Sequence, residues 1–343
     1  MSTGGINYGS DQHGLIWAYR FEPEGPAVEI DADAALQWLA AAEQQPQATR
    51  SFVWLHFSLA NASAVRWMQS QLLLPQAFYD SLHEAVPSTR LEQEEAWLVA
   101  VIHDAQYEGE FDSGNVSSVS ACLGPRLLVS ARIKPLRSVE RLRASVRGGM
   151  GCRSSAELLA QLMREQANVL VDIVRRSTTR VDTIEDSLLT GRVATNRHDL
   201  SAIRRALIRL RRLLAPEPAA LFRLLSKPPA WLSEGDLQDL RQAGEEFSTA
   251  VTDSVELTER VRLLQEELSA SVNEQTNRTL FLLTLVTVLA LPINLVAGLL
   301  GMNVGGIPLA NHRHGFLVVV IVLALITALL AHLLRLFRSR DGG

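Results

Sequence analysis

The stretch Thr279–Pro308, TLFLLTLVTVLALPINLVAGLLGMNVGGIP, decides how the rest of the chain is read. Up to Leu300 it carries no charged residue, and at 1.5 Å per helical residue it is long enough to cross a hydrocarbon core of roughly 30 Å. A second run, Gly315 to Leu334, has only His332 as a titratable group and meets the same length test. A short loop joins the two, so two spans place both ends of the chain on one side. Arg278 precedes the first span and Arg335, Arg338 and Arg340 follow the second. The positive-inside rule then predicts a multi-pass inner-membrane protein with both termini in the cytoplasm.

The polar residues of the first span are not scattered. Asn277, Thr284, Thr287 and Asn294, with Leu280, Leu291 and Gly298 between them, recur at alternating steps of three and four. Such a stripe lies on one face of a helix in a left-handed bundle. An amide in hydrocarbon is costly without a partner or water, so this face looks at a partner helix or an aqueous lumen. Two helices cannot enclose a lumen between them. The lumen reading therefore requires several copies of the chain around one axis, the first span inside and the more uniformly apolar second span toward lipid. Leu280 and Leu291 would then form rings able to gate by dewetting. Pro292 removes one backbone donor and frees the carbonyl of Val288, a common transmembrane feature to which no special function is assigned.

Upstream of the span no proline interrupts the chain back to Ser233, where Ser233 and Asp236 can cap a helix. One helix of roughly 65 residues, about 100 Å, is expected to run from there into the membrane. Phe247, Val251, Leu257, Val261, Leu264 and Leu268 form its packing seam. A helix that long needs neighbours, which suggests a stalk in an oligomer. Before it, Ser154–Leu189 and Asn196–Leu225 read as long amphipathic helices. Asp182, Glu185 and Asp186 on the first and Arg204, Arg205, Arg209, Arg211 and Arg212 on the second are expected to pair across an antiparallel contact. That explains both charge runs more simply than a nucleic-acid surface. Pro216, Pro218, Pro228 and Pro229 punctuate the segment that follows.

The first 150 residues alternate strand patterns (Leu15–Phe21, Phe52–Phe57, Ala96–His103, Val116–Leu123, Arg126–Ala131) with helix patterns (Asp33–Glu43, Ala60–Leu73, Gln76–Glu84). The expected organisation is a cytoplasmic α/β domain over 1–150, ending at the break marked by Gly148, Gly149 and Gly151, and a helical and stalk region over 151–278. The first transmembrane helix follows over 279–300, a periplasmic loop over 301–314, the second transmembrane helix over 315–335 and a basic tail over 336–343.

Composition narrows the function. A formal net charge of -4 over 343 residues is too small to imply nucleic acid. Cys122 and Cys152 lack CxxC or histidine spacing and read as unreactive thiols. The opening MSTGGINYGSDQHG lacks the basic-then-apolar pattern of a cleaved signal. No P-loop, HExxH, GxSxG or dinucleotide-type glycine motif is present, so no catalytic residue is assigned and an anchored enzyme is disfavoured. A pure scaffold or sensor would not need polar residues along one face of a span.

At the outer end of the first span stands Gly301-Met302-Asn303, followed by Val304-Gly305-Gly306-Ile307-Pro308. In this context the tripeptide resembles the signature of the CorA superfamily, and the extended motif resembles its ZntB branch. Trp54-Leu55-His56, Leu127-Leu128-Val129-Ser130 with Pro135-Leu136, Leu207 to Pro216 and Leu264 to Leu268 are similar to the cytoplasmic sequence of that branch. The resemblance implies a CorA-like, funnel-shaped homopentamer, with an N-terminal α/β domain and a long stalk helix continuing into the first of two C-terminal transmembrane helices. It further implies an inner ring of spans from Asn277 to Leu300, a periplasmic entrance at Gly301, Met302 and Asn303, and proton-coupled uptake of Zn2+. The alternatives are a CorA-type Mg2+, Co2+ or Ni2+ channel and zinc efflux through the same pore. Zn2+ is cargo here, not a cofactor, and the implied partners are further copies of the chain, membrane lipid and divalent cations.

A ring of asparagine amides and backbone carbonyls offers neutral oxygen dipoles suited to a hydrated cation. Unlike the acidic loop of the magnesium-type relatives, Val304 to Gly315 contains no acid and carries His312 and His314. Imidazole suits Zn2+ better than Mg2+, yet two ligands fall short of the usual three or four. The pair is thus either zinc-attracting or part of a solvated loop. The lumen itself lacks carboxylates and histidines, so titrating groups for coupling must lie at its ends, His312 or His314 outside and Glu266, Glu267 or Glu274 inside.

Overall fold

Strands β1 (Leu15–Phe21), β2 (Val28–Ile30), β3 (Phe52–Ser58), β4 (Arg90–Glu94), β5 (Trp97–Ala105), β6 (Val116–Leu123) and β7 (Leu127–Arg132) join in one sheet of order β2-β1-β3-β7-β6-β5-β4. This is seen in a computed structural model that describes residues 9–44, 51–84, 88–106, 116–189, 196–302 and 313–340. β3 and β7 are parallel and every other pairing is antiparallel. All seven residues of β3, FVWLHFS, are buried, as a continuous apolar run requires when both faces of a strand are covered.

Each face has its own core. On one, Val53, Leu55 and Phe57 pack with residues of α1 (Ala32–Gln44), α2 (Ser63–Gln71) and α3 (Gln76–His83), among them Met68 and Phe78. On the other, Trp17, Tyr19, Phe21 and Trp54 meet α4 (Arg137–Arg147), α5 (Ser155–Leu189), α6 (Asn196–Leu214), α7 (Pro216–Ser226) and the first part of α8 (Glu234–Leu300). The alternation of side chains along β1 and β3 sends neighbouring residues to opposite cores.

All five expected strands and the three expected N-terminal helices are present, with ends displaced by three residues or fewer. β2, β4 and α4 are additions. The single helix expected over Asn196–Leu225 is divided, because Pro216 has no amide hydrogen to continue the α6 ladder and instead starts α7 as its first residue. The α5 acids and α6 arginines, expected to pair with each other, also find partners on α8. Asp182 and Glu185 are both reached by Arg260 of α8, at 2.8 Å for Asp182, while Arg204 of α6 donates to Gln265 of α8 at 3.2 Å. Three helices share these polar contacts.

α8 is a single 67-residue helix. A capping box starts it: the Ser233 amide and hydroxyl donate to Asp236 Oδ2 (2.9 and 2.6 Å), and the Asp236 amide donates back to Ser233 Oγ (3.2 Å). Phe247, Leu257, Val261, Leu264 and Leu268 of the expected seam are buried, and Val251 is half-buried. The chain divides into two compact units, Met1–Gln265 and Glu266–Gly343, with the division inside α8.

Cys122 and Cys152 are buried free thiols. Burial pushes both up, Cys152 to about 12. His56 is fully buried, stacked on Trp17 at 4.1 Å, with Nδ1 2.7 Å from Ser130 Oγ and Nε2 accepting from Arg132 Nε at 2.9 Å. Burial and the neighbouring arginines hold it well below the usual histidine range. It is a neutral core histidine. Asp104 of β5 caps α4 from outside, accepting from the Ser138 amide and hydroxyl at 2.7 Å each.

Candidate functional site

The apolar part of α8 contains a window of mean hydropathy 2.4, and none of that window is buried within the chain. Among the described residues it is the helix long and apolar enough to cross a membrane by length and composition. After it, α9 runs Gly315–Arg340, and its apolar stretch over the described side chains is Gly315–Leu330.

Asn277, Leu280, Thr284, Thr287, Leu291, Asn294 and Gly298 are all exposed, with Leu280 at 54% and Leu291 at 65%. Of the half-buried residues Leu285, Val288, Leu289, Ala290, Pro292 and Val296, all but Ala290 cluster elsewhere on the helix. At about 100° per residue their mean direction lies roughly 130° from that of the polar stripe. In α9 the less exposed positions Gly315, Val319, Leu323, Thr327 and Leu330 also recur every three to four residues. Each helix therefore covers mainly one face, and on α8 the polar stripe lies outside it.

The two threonines of the stripe have a fixed polarity. Thr284 Oγ1 donates to the Leu280 carbonyl and Thr287 Oγ1 to the Leu283 carbonyl, each at 2.9 Å. A hydroxyl has one proton and two lone pairs. With the proton directed into the helix, each hydroxyl offers only acceptor capacity outward, which suits cations and the outward-pointing O–H hydrogens of their hydration water. Asn277 and Asn294 add amide carbonyls at the two ends. Sequence reading identified the positions but not this orientation; its one signal is a threonine four residues after a helical carbonyl.

At the end of α8 the Gly301 amide closes on the Ala297 carbonyl at 2.9 Å. A Cβ on Gly301 would stand 3.0 Å from that same oxygen, so glycine permits this tight termination. Gly298, by contrast, has open space where a Cβ would be. Met302 is 50% exposed. Asn303 and His312 lie outside the described residues. Arg313 and His314 are exposed, and the His314 carbonyl accepts the Val318 amide at 3.1 Å as α9 begins. His332 is exposed. Among the described residues no three His, Cys, Asp or Glu side chains group so as to hold a metal ion. The chemistry available along the stripe is contact between neutral oxygens and a hydrated cation.

The family described as CorA-like Mg2+ transporter protein matches residues 49–337 of this chain. A relative from Pseudomonas aeruginosa, the divalent cation transporter CmaX, is 26% identical over 308 residues, covering 89% of this chain and 91% of its own. The zinc transport protein ZntB of Yersinia enterocolitica is 22% identical over 301 residues, covering 88% of each chain. The solved structure of full-length CmaX superposes with a TM-score of 0.79 at 24% identity, covering 95% of this chain and 99% of that one. The fold is thus CorA-like, an N-terminal α/β unit with a long helix.

Proposed function

Because the chain belongs to the CorA-like Mg2+ transporter family, a family of transporters and not enzymes, we propose that it carries divalent cations across the inner membrane through a pore lined by the α8 stripe. The observation that carries this reading is the exposed row of inward-donating hydroxyls and side-chain amides on a helix long and apolar enough to cross a membrane. Such a row is costly against lipid and useful against water. Copies of the chain, five as the family resemblance implies, place the stripe around a common axis. α9 faces lipid as the second span, Gly301, Met302 and Asn303 form the outer entrance, and both termini are cytoplasmic.

Zn2+ is the cargo this reading favours. The ZntB relatives are named for zinc, and the loop Val304 to Gly315 has no acid and two histidines, His312 and His314. Entry into the cytoplasm is stimulated by an inward proton gradient, with the titrating groups at the ends of the path. The family's own description favours a second reading, a Mg2+ channel. The name of the CmaX relative supports divalent cation transport without choosing between these.

Purified protein in liposomes, with a zinc-sensitive dye inside and metal and pH gradients imposed separately, tests all three levels. Zinc entry accelerated by an acidic exterior is expected. Robust Mg2+ entry with negligible Zn2+ entry would overturn the cargo, zinc entry indifferent to the pH gradient would overturn the coupling, and no flux of either metal would overturn transport itself.

A further inference from the structure

A buried polar group that the α8 stripe does not involve sits at the end of β5. The β4–β5 ladder stops at Arg90, opposite Val101, and among the described residues no strand continues beside His103 on that side, although β6 pairs with it on the other. Its backbone groups are satisfied all the same. The His103 amide donates to Glu217 Oε1 at 2.5 Å, and Gln166 Nε2 donates to the His103 carbonyl at 2.6 Å. Gln166 Nε2 also reaches Glu217 Oε2 at 3.1 Å. A carboxylate from α7 and a carboxamide from α5 thus stand in for the missing strand residue. Thr89 Oγ1 lies 3.0 Å from His103 Nδ1 and donates to the Leu213 carbonyl at 3.3 Å, tying the end of α6 to the same point.

The bonding is fitted to an anion in a place where an anion is costly. Both groups that bond to Glu217 are N–H donors. A neutral carboxyl still offers a lone pair to each of these donors, so a proton relieves the buried charge without breaking either bond. Burial opposes the charge more strongly, since Glu217 is 0% exposed, and the carboxyl is pushed up to about 7 by desolvation against the His103 and Gln166 bonds. Around it, β5 presents His103, whose Nδ1 is 3.7 Å from Oε1. Gln166 and Thr89 are uncharged. Asp104, next along β5, is committed to Ser138 at the start of α4. Arg223 of α7 and Lys227, just past its end, line a groove beside β4.

We propose that Glu217 is a proton-operated latch between α7 and the end of β5, tightening as the surrounding compartment acidifies and loosening as it turns alkaline. The sign follows from linkage. With α7 lifted away the carboxyl is solvated and titrates near its ordinary 4.5, whereas the docked form keeps its proton up to about 7. The docked state binds more protons in that window, so acid favours it. Between pH 8 and pH 6 the undocking equilibrium should fall about tenfold.

Hydrogen exchange of the full chain in detergent, expressed as protection after correction for the intrinsic pH dependence of exchange, reads the latch. Protection of α7 amides should rise about tenfold from pH 8 to pH 6. Glu217→Gln should abolish that rise while α4, held by Asp104, responds as in the wild type. A wild-type α7 response that is flat, or one that persists in Glu217→Gln, overturns the latch. Should Glu217→Gln fail to fold, Gln166→Leu removes one donor from the carboxylate and must move the midpoint of the α7 response to higher pH; an unmoved midpoint refutes the assignment. His103→Asn should retain the response, and its loss would transfer the proton to His103 and overturn the proposal.

Discussion

Thr287→Val isolates the hydroxyl of the α8 stripe, because valine keeps the branched shape and helix preference of threonine and removes only the oxygen. Thr287 is exposed and its proton is bonded to the carbonyl of Leu283 in its own helix. Folding should therefore change by no more than about 0.5 kcal/mol, as at other surface positions. Transport should respond far more. A net hydrogen bond contributes about 0.5–1.5 kcal/mol, and a hydrated cation passing a ring of these hydroxyls loses one acceptor per copy. Loss of only two such contacts at the barrier raises it by about 1–3 kcal/mol, which slows flux roughly 5- to 150-fold. The assay is metal entry into proteoliposomes at matched protein content, with gel filtration to verify assembly. Val320→Leu, a change at an exposed position of α9, serves as the lipid-side control and should carry metal at the wild-type rate. Wild-type flux through Thr287→Val, or an equal loss in Val320→Leu, would refute the assignment of the stripe to the lumen.

Asn303→Ala should reduce cation flux to background while the purified protein keeps its oligomeric mass, which is expected to be that of a pentamer; a monomer or dimer would remove the shared axis. Gly14→Ala should destabilise the soluble part by about 2–4 kcal/mol in chemical denaturation, since Gly14 has φ 84° and an added Cβ would stand 2.7 Å from that of Ala64. Asp104 gives a pH dependence. Desolvation raises it from 3.8 to about 6 against its bonds to Ser138 and Ala105, so the folded state binds more protons than the unfolded state between those values. Its contribution to stability therefore falls as pH rises from about 4 to 6, by roughly 3 kcal/mol in all. Asp104→Asn should flatten that part of the pH profile in thermal melts of the detergent-solubilised chain; an unchanged profile would show that another group titrates there.

The elements legible in the sequence were those with a strong apolar period. β1, β3 and β5 announce themselves through runs such as LIWAYRF and FVWLHF, and α8 through its long seam and the absence of proline before Pro292. β4 was hidden because RLEQE, on the sheet edge, buries only Leu91. α4 was hidden because its four arginines dilute the spacing of Val139, Leu142 and Val146. The stripe on α8 was readable as a pattern, but the inward donation of its hydroxyls is a matter of rotamer. Arg260 of α8 as a partner of the α5 acids was missed because charge runs identify a need for pairing without saying which neighbouring helices supply it. Glu217, inside the helix expected over Asn196–Leu225, drew no attention as a sequence position, and only the ending of β4 at Arg90 reveals why a carboxylate is buried there.

The two natural thiols have a practical consequence. Cys122 and Cys152 account for all the cysteine in the chain. Both are enclosed, and at neutral pH both are held as thiols, which neither attack electrophiles nor bind soft metals well. Folded protein should accordingly be silent to a water-soluble maleimide and should not sequester zinc through sulfur. A single replacement such as Thr284→Cys, Leu291→Cys or Gly298→Cys can then be labelled against the natural background, and the rate at which each reacts from either side of a sealed vesicle maps which parts of the helix are wet.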